Sequence, residues 1–204
     1  KNPLTPMRLT VQSFQRKFDA TDIEISKKLD DYTKTLLQQI DTMTSVAIAF
    51  SNFASMPAQQ NETLNVVKIV KLALDIFNEP YIHFSATDEE VILKLDRTQL
   101  IRVITNLVKN AIQAMPDEQQ NPFVKVHVAK QQNQVIILVT DNGKGISEEN
   151  KERIFEPKFT TKSSGMGLGL AIIKNIIENY NGTISFTSIP NTETTFKVEF
   201  PIIK

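Results

Sequence analysis

Cysteine and tryptophan are both absent from the 204 residues, and histidine occurs only twice. Without cysteine there are no disulfides and no thiolate metal ligands, which fits a reducing compartment and leads us to expect a cytoplasmic chain. Net charge is lacking as well: 23 basic residues balance 23 acidic ones, so there is no electrostatic footprint for nucleic acid. No apolar run reaches membrane-spanning length, and no membrane contact is expected of this stretch. Glycine is scarce and unevenly spent. Of six glycines, five fall in two short stretches, Gly143 and Gly145 in "DNGKGI" and Gly165, Gly167 and Gly169 in "GMGLGL". Glycine serves positive φ and close approach to backbone, so those two places are where the chain is expected to wrap something.

What is present divides into two textures. Leu4, Met7, Val11, Phe14 and Phe18 recur at spacings of three and four, as in a helical seam. "DATD" then supplies capping residues and a break. Leu29, Tyr32, Leu36, Ile40, Met43, Ala47, Phe50 and Ala54 continue the rhythm in a long second helix, and Leu37, Val46, Ile48 and Phe53 widen its apolar face. A lone hairpin cannot cover so broad a stripe, whereas two hairpins can in a four-helix bundle. A homodimer through residues 1–55 is therefore expected.

"SMPAQQNET" reads as a linker over residues 56–62. Beyond it helix and strand signals mix. A helix is expected from about Leu64 to Asn78, short strands in "YIHFSA" and "VILKL", and a strong helix from about Arg97 to Met115 that ends at Pro116. "FVKVHVAK" and "QVIILVTD" suggest adjacent strands, a helix follows from about Gly167 to Tyr180, and "GTISFTS" and "TTFKVEFPI" form a final pair. The fold class is α+β: an N-terminal helical hairpin, then a two-layer α/β sandwich over residues 63–204 with helices on one face of a mixed sheet.

Three stretches carry candidate chemistry. Asn106, Asn110 and Gln113 make a polar stripe beside the apolar face of "TNLVKNAIQAM". Asparagine is a mediocre helix former, so the stripe is either solvated surface or a set of carboxamides for a hard cation such as magnesium. "VTDNGKGI" is either a tight turn or a place where Asp141 accepts from an exocyclic amine, with Gly143 and Gly145 admitting a base. "SSGMGLGLAI" leads glycines into a helix, whose first amides suit phosphate. It has no Gly-Lys-Ser/Thr, its spacing is G-x-G-x-G, and no strand runs straight into it, so neither a P-loop nor a Rossmann turn fits. The protein-kinase set H-R-D and D-F-G is missing too.

In order and spacing the Asn helix, "DNGKG", "IFEPKFTTK" and "GMGLGLAI" resemble the N, G1, F and G2 boxes of sensor histidine kinases. These belong to the ATPase superfamily shared with gyrase-type topoisomerases, MutL and the ninety-kilodalton heat-shock chaperones, with its Bergerat ATP-binding fold. The resemblance covers residues 63–204. It implies ATP and Mg2+ as cofactors, Asn110 as the magnesium ligand and Asn106 beside the phosphates. It implies Asp141 as the reader of the adenine amine and Gly143 and Gly145 as shapers of the base pocket. By the same resemblance Phe155 and Phe159 would belong to the F box that anchors an ATP lid over residues 157–166, in which Lys162 is a candidate phosphate contact, and Gly165, Gly167 and Gly169 would wrap the phosphates. Lys109, Ile146, Thr161, Met166, Leu168, Leu170 and Thr195 complete the implied ATP-binding set. Met166 stands where many relatives have threonine, and Gln113 where some have a basic residue.

The opening "KNPLTPMRL" is similar to the tail of an H box, H-E-x-K-N-P-L-T-P in kinases of the nitrogen-regulation NtrY type. In that pattern the phosphoacceptor histidine stands three residues before Lys1, so the chain as given is not expected to phosphorylate itself. His83 and His127, each in a strand-like run, are expected to be structural or surface residues. Asn2 would sit where relatives position water for dephosphorylating a partner. The partner implied is a response regulator receiver domain, which takes the phosphoryl group on an Asp. Two rivals remain: an ATPase of the same superfamily that uses ATP as a conformational clamp, and a dimeric scaffold without nucleotide binding. Any membrane anchor of the parent protein would be expected upstream of these residues.

Overall fold

A computed structural model describes residues 4–18, 25–54, 59–157, 159–161 and 167–202. The chain forms two compact units, Lys1–Met56 and Pro57–Lys204. Among the described residues no helix is long and apolar enough to cross a membrane.

The first unit contains α1 (Leu4–Lys17) and α2 (Ile25–Ala54). Phe14 meets Tyr32 edge-on at 4.9 Å between ring centroids, and Gln39 Nε2 donates to Thr10 Oγ1 at 3.3 Å. These two pairings run in opposite chain directions, so the helices are antiparallel. Leu9, Val11, Phe18, Leu29, Leu37 and Ile40 remain exposed on them. The expected "DATD" caps lie outside the described residues.

The second unit begins with a departure from the sequence reading. Asn61 and Glu62, expected in the linker, start a strand, β1 (Asn61–Asn65). It pairs antiparallel with β3 (Ile92–Asp96), Leu64 opposite Leu93. Consequently α3 spans only Val66–Leu74, shorter at both ends than expected. The reason is Asn65, whose Oδ1 accepts from Val67 N at 3.0 Å and so caps the helix. α4 (Arg97–Ala114) is capped in the same way by Asp96, which accepts from Gln99 N at 3.0 Å.

The main sheet has the order β2-β4-β5-β7-β6. Its strands are β2 (Ile82–Ala86), β4 (Val124–Gln131), β5 (Gln134–Asp141), β6 (Thr183–Ile189) and β7 (Glu193–Pro201). β2 runs parallel to β4 and the other pairs are antiparallel, giving a mixed sheet. One face carries Val124, Val126 and Val128, Val135, Ile137 and Val139, and Phe196, Val198 and Phe200, all buried. Helices α3, α4 and α6 (Gly169–Asn179) cover it with Val70, Val103, Ile104, Leu107, Ile173 and Ile177. The two-layer α/β sandwich is thus present. A short α5 (Glu148–Lys151), not expected from the sequence, follows β5. His83 and His127 stand on the sheet face turned away from the helices, where Ser85 Oγ lies 2.8 Å from His127 Nδ1.

The Tyr180 hydroxyl ties three elements together. It accepts from Asp96 N at 3.1 Å and lies 3.0 Å from Asn61 Oδ1 and 3.1 Å from Gln99 Oε1, its single proton serving one acceptor at a time. Burial raises its pKa above the usual 10.0. A phenol whose pKa is raised by folding contributes stability that is complete below the unfolded value and is lost as pH climbs through the folded one. Chemical denaturation should therefore show Tyr180→Phe destabilised by about 1–3 kcal/mol at neutral pH. The variant's stability should also fall less steeply than that of the unmodified chain as pH rises above 10.

Candidate active site

Between β5 and α5 lies the turn Asp141–Ile146, and every part of it is held. Asp141 is 3% exposed, and its Oδ1 accepts from Gly143 N at 2.9 Å. Asn142 binds the loop after α4 with both ends of its carboxamide: Oδ1 accepts from Phe123 N at 2.8 Å, and Nδ2 donates to Asn121 O at 3.0 Å. Lys144 N donates to Ala114 O, the last residue of α4, at 3.0 Å. A Cβ on Gly143 would lie 2.6 Å from that same carbonyl oxygen. Gly145 has φ +76°, and a Cβ there would meet Pro190 Cα at 2.9 Å. Both glycines were expected to admit a base; what the structure shows against them is the protein's own backbone, α4 on one side and the β6–β7 turn on the other.

The β6–β7 side is closed by two further bonds, Asn191 N to Lys144 O at 3.0 Å and Ile146 N to Ser188 Oγ at 2.9 Å. Asp141 is opposite Thr194 in the sheet register, and Thr194 is opposite Ser188. Asp141, Thr194 and Ser188 are the buried polar residues among those described, and they form one row across three neighbouring strands. Thr195 was expected here. Successive strand residues point to opposite faces, so Thr195 looks away from the helices and shares a 2.9 Å contact with Thr140. Thr194 is the residue on the site's face. The alternation of Phe196, Val198 and Phe200 in "TTFKVEF" was the signal that places it there.

The Asn stripe of α4 faces the start of α6. Asn106 Nδ2 donates back to Arg102 O at 2.8 Å, and a Cβ on Gly169 would lie 3.2 Å from Asn106 Oδ1. The carboxamide nitrogen is thus turned to its own helix and the oxygen to α6. Asn110, half-buried, stands one turn further along, with Lys109 and Gln113 exposed. α6 begins at Gly169 after Leu168, with no side-chain cap, and Gly167 has φ +64°. Leu168 and Leu170 are half-buried around this start. First-turn amides have no intrahelical acceptor, and together with the helix dipole they suit an anion.

Between these two centres runs the segment after α5. Phe155 packs edge-on against Phe186 at 6.0 Å, with Lys174 Nζ 5.6 Å from its ring centroid. Phe159 lies beneath the Arg153 guanidinium at 4.7 Å. Thr161 is exposed. Lys162, Gly165 and Met166, like Asn2, lie outside the described residues. The first unit offers an open cleft of about 520 Å3 bordered by Leu9, Ser13 and Tyr32.

A buried strand-end carboxylate, glycine-bearing turns and an uncapped helix start on a two-layer sandwich define a nucleotide-binding class of domain. Residues 95–204 match the family described as histidine kinase-, DNA gyrase B-, and HSP90-like ATPase, and the chain belongs to that family. Within it, the similarity is to sensor histidine kinases. The nitrogen regulation protein NtrY of Azorhizobium caulinodans is 29% identical over 93% of this chain and 26% of its own length. Such curated relatives are longer: the chain spans 26% of that protein and 47% of sporulation kinase B of Bacillus subtilis. The solved catalytic domain of histidine kinase ThkA is 32% identical, with a TM-score of 0.62 over 70% of this chain and 95% of that one. ThkA in complex with response regulator protein TrrA shares the fold, with a TM-score of 0.65 at 24% identity over 99% of this chain and 58% of that one.

The closeness at Gly143 gives a direct test of the site's architecture. Gly143→Ala should cost about 1–3 kcal/mol in urea denaturation, because its methyl meets backbone that cannot rotate aside. A variant as stable as the unmodified chain would mean that α4 and the turn are less tightly joined than described.

Proposed function

We propose that the chain is the catalytic part of a two-component sensor histidine kinase. It binds Mg-ATP in the second unit and transfers the γ-phosphoryl group to a histidine, which the H-box resemblance puts before Lys1. From there the group passes to an Asp of a response regulator receiver domain. The observation that carries this reading is the presence in the second unit of two polar centres that α4 touches, at Ala114 and at Asn106. One is the buried Asp141 row, and the other is the meeting of Asn106 with the uncapped start of α6.

Each centre suits one end of a nucleoside triphosphate. A buried carboxylate accepts from the exocyclic amine of adenine, and the amides of Gly169 and Leu170 with the helix dipole stabilise phosphate oxygens. Magnesium, when bound, neutralises charge on the transferring phosphoryl group. Asn110 would supply it a carboxamide oxygen. Among the described residues there is no cluster of three or more His, Cys, Asp or Glu side chains. That donor set still fits magnesium, which keeps several waters and takes most other ligands from phosphates. Lys162, Gly165, Gly167 and Met166 would close over the phosphates as part of the lid.

The exposed Leu9, Val11, Phe18, Leu29, Leu37 and Ile40 support dimerisation through residues 1–55, where a second hairpin would bury them. The domain division we propose is this hairpin, a linker that now ends at Gln60, and the ATP-binding domain from Asn61 onward. The ThkA–TrrA complex supports a receiver domain as partner. Cytoplasmic placement follows from the same reading, since ATP and receiver domains are found there.

Asn110→Ala should weaken Mg-ATP binding about tenfold or more in isothermal titration calorimetry, equivalent to ~1.4 kcal/mol. No change would mean that Asn110 does not hold the metal. For the transfer itself, this chain and one extended upstream through the expected histidine would be incubated with γ-labelled ATP and magnesium. Acid-labile label is expected on the longer chain alone. Phosphate release by both with no protein label would instead establish the conformational-clamp ATPase.

A further inference from the structure

We propose that Ser188 is a positioning residue for recognition of the nucleotide base. This rests on the reading of Asp141 as acceptor of the base amine. Ser188 has no place in the boxes that define the site, and it lies on β6, the edge strand, two strands away from Asp141. Yet it is only 8% exposed, and Thr194 and Asp141 are 3% exposed each. A buried hydroxyl costs free energy unless its hydrogen bonds are made. Ser188 makes two. Its Oγ accepts from Ile146 N at 2.9 Å and lies 2.8 Å from Thr194 Oγ1.

Those two bonds reach both sides of Asp141. Thr194 is the register neighbour of Asp141 on β7. Ile146 ends the turn that Asp141 begins, and the turn's glycines leave no room for a compensating side chain. Ser188 therefore fixes the rotamer of the Thr194 hydroxyl and the path of the Gly145–Ile146 backbone together. Without its oxygen the Ile146 amide loses its acceptor and the Thr194 hydroxyl loses its partner. The carboxylate keeps its bond from Gly143 N, but the hydroxyl beside it on β7 and the backbone at the end of its turn are no longer fixed. The penalty should fall on the group that Asp141 reads, the exocyclic amine, and spare the phosphates bound at α6.

The test compares the full chain with Ser188→Ala, Ser188→Cys and Ser188→Thr by isothermal titration calorimetry. The probes are Mg-ATP and Mg-purine riboside triphosphate, which lacks the amine. Ser188→Ala and the near-isosteric Ser188→Cys should lose about three- to tenfold in ATP affinity, the worth of one or two hydrogen bonds. Their affinity for the amine-free analogue should change by less than about twofold, and Ser188→Thr should restore ATP binding. Equal losses with both nucleotides would show a merely structural role and overturn the inference, as would undiminished ATP binding by both Ser188→Ala and Ser188→Cys. Hydrogen exchange on the unmodified chain guards against variants that fail to fold: an unprotected Ile146 amide would overturn it without any substitution. If the unmodified chain bound neither nucleotide, the functional reading would fall along with the inference. Selective failure of the Ser188 variants leaves that reading intact.

Discussion

The second unit depends on a contact between two pieces of backbone, the carbonyl of Ala114 and the Gly143–Lys144 peptide. A side-chain atom at position 143 would sit 2.6 Å from that oxygen, and the Lys144 amide bonds to it at 3.0 Å. α4 is held at its start by the Asp96 cap and the Tyr180 hydroxyl, so this second anchor fixes its far end against β5. A helix held at both ends has a defined rotation about its axis. That rotation sends Leu107 and Ala111 into the core and Asn106 towards α6. The position of the carboxamides thus follows from a contact remote from them, made where the chain leaves the sheet.

The same turn is gripped from the other side, and there polar groups rather than close backbone packing dominate. Three buried polar side chains in a row would be a liability in a core, since each must find partners that water would otherwise supply. Here Gly143 N serves Asp141, Ile146 N serves Ser188, and Ser188 and Thr194 serve each other. All of these bonds are made within the protein itself. Such a row resists rearrangement, because moving one member strands the next, and recognition by pre-oriented dipoles requires that resistance.

Much of this was legible in the sequence, for reasons that differ by element. α4 has a strong apolar period and a terminating Pro116, so its extent was readable. β4 and β5 follow from β-branched runs on either side of a short polar turn. β1 was not legible. "NETLN" buries only Leu64 fully, and what makes it a strand is pairing with residues about thirty positions away. The glycines were recognised as sites of close approach, yet a sequence does not say what approaches. Gly143 and Gly145 turn out to meet Ala114 and Pro190, while Gly169 meets the Asn106 carboxamide. Thr195 belongs to the set that the resemblance implies, and only the sheet's register shows that Thr194, beside it, is the threonine on the face of Asp141. Ser188 carried no signal until its partners were visible.

The phosphoryl transfer proposed for this chain would ask the protein for position and charge stabilisation more than for covalent work. One centre is rigid and buried; the other is the open start of a helix. Phe155 packs against Phe186, Phe159 lies beneath Arg153, and the start of α6 at Gly169 meets Asn106. The metal follows the same logic. A carboxamide is a weak neutral ligand, and the described residues offer no carboxylate cluster beside it. Magnesium would then be held mainly by the triphosphate it accompanies, entering with the nucleotide and leaving with the product. On the proposed reading, magnesium at Asn110 would accompany the nucleotide rather than precede it.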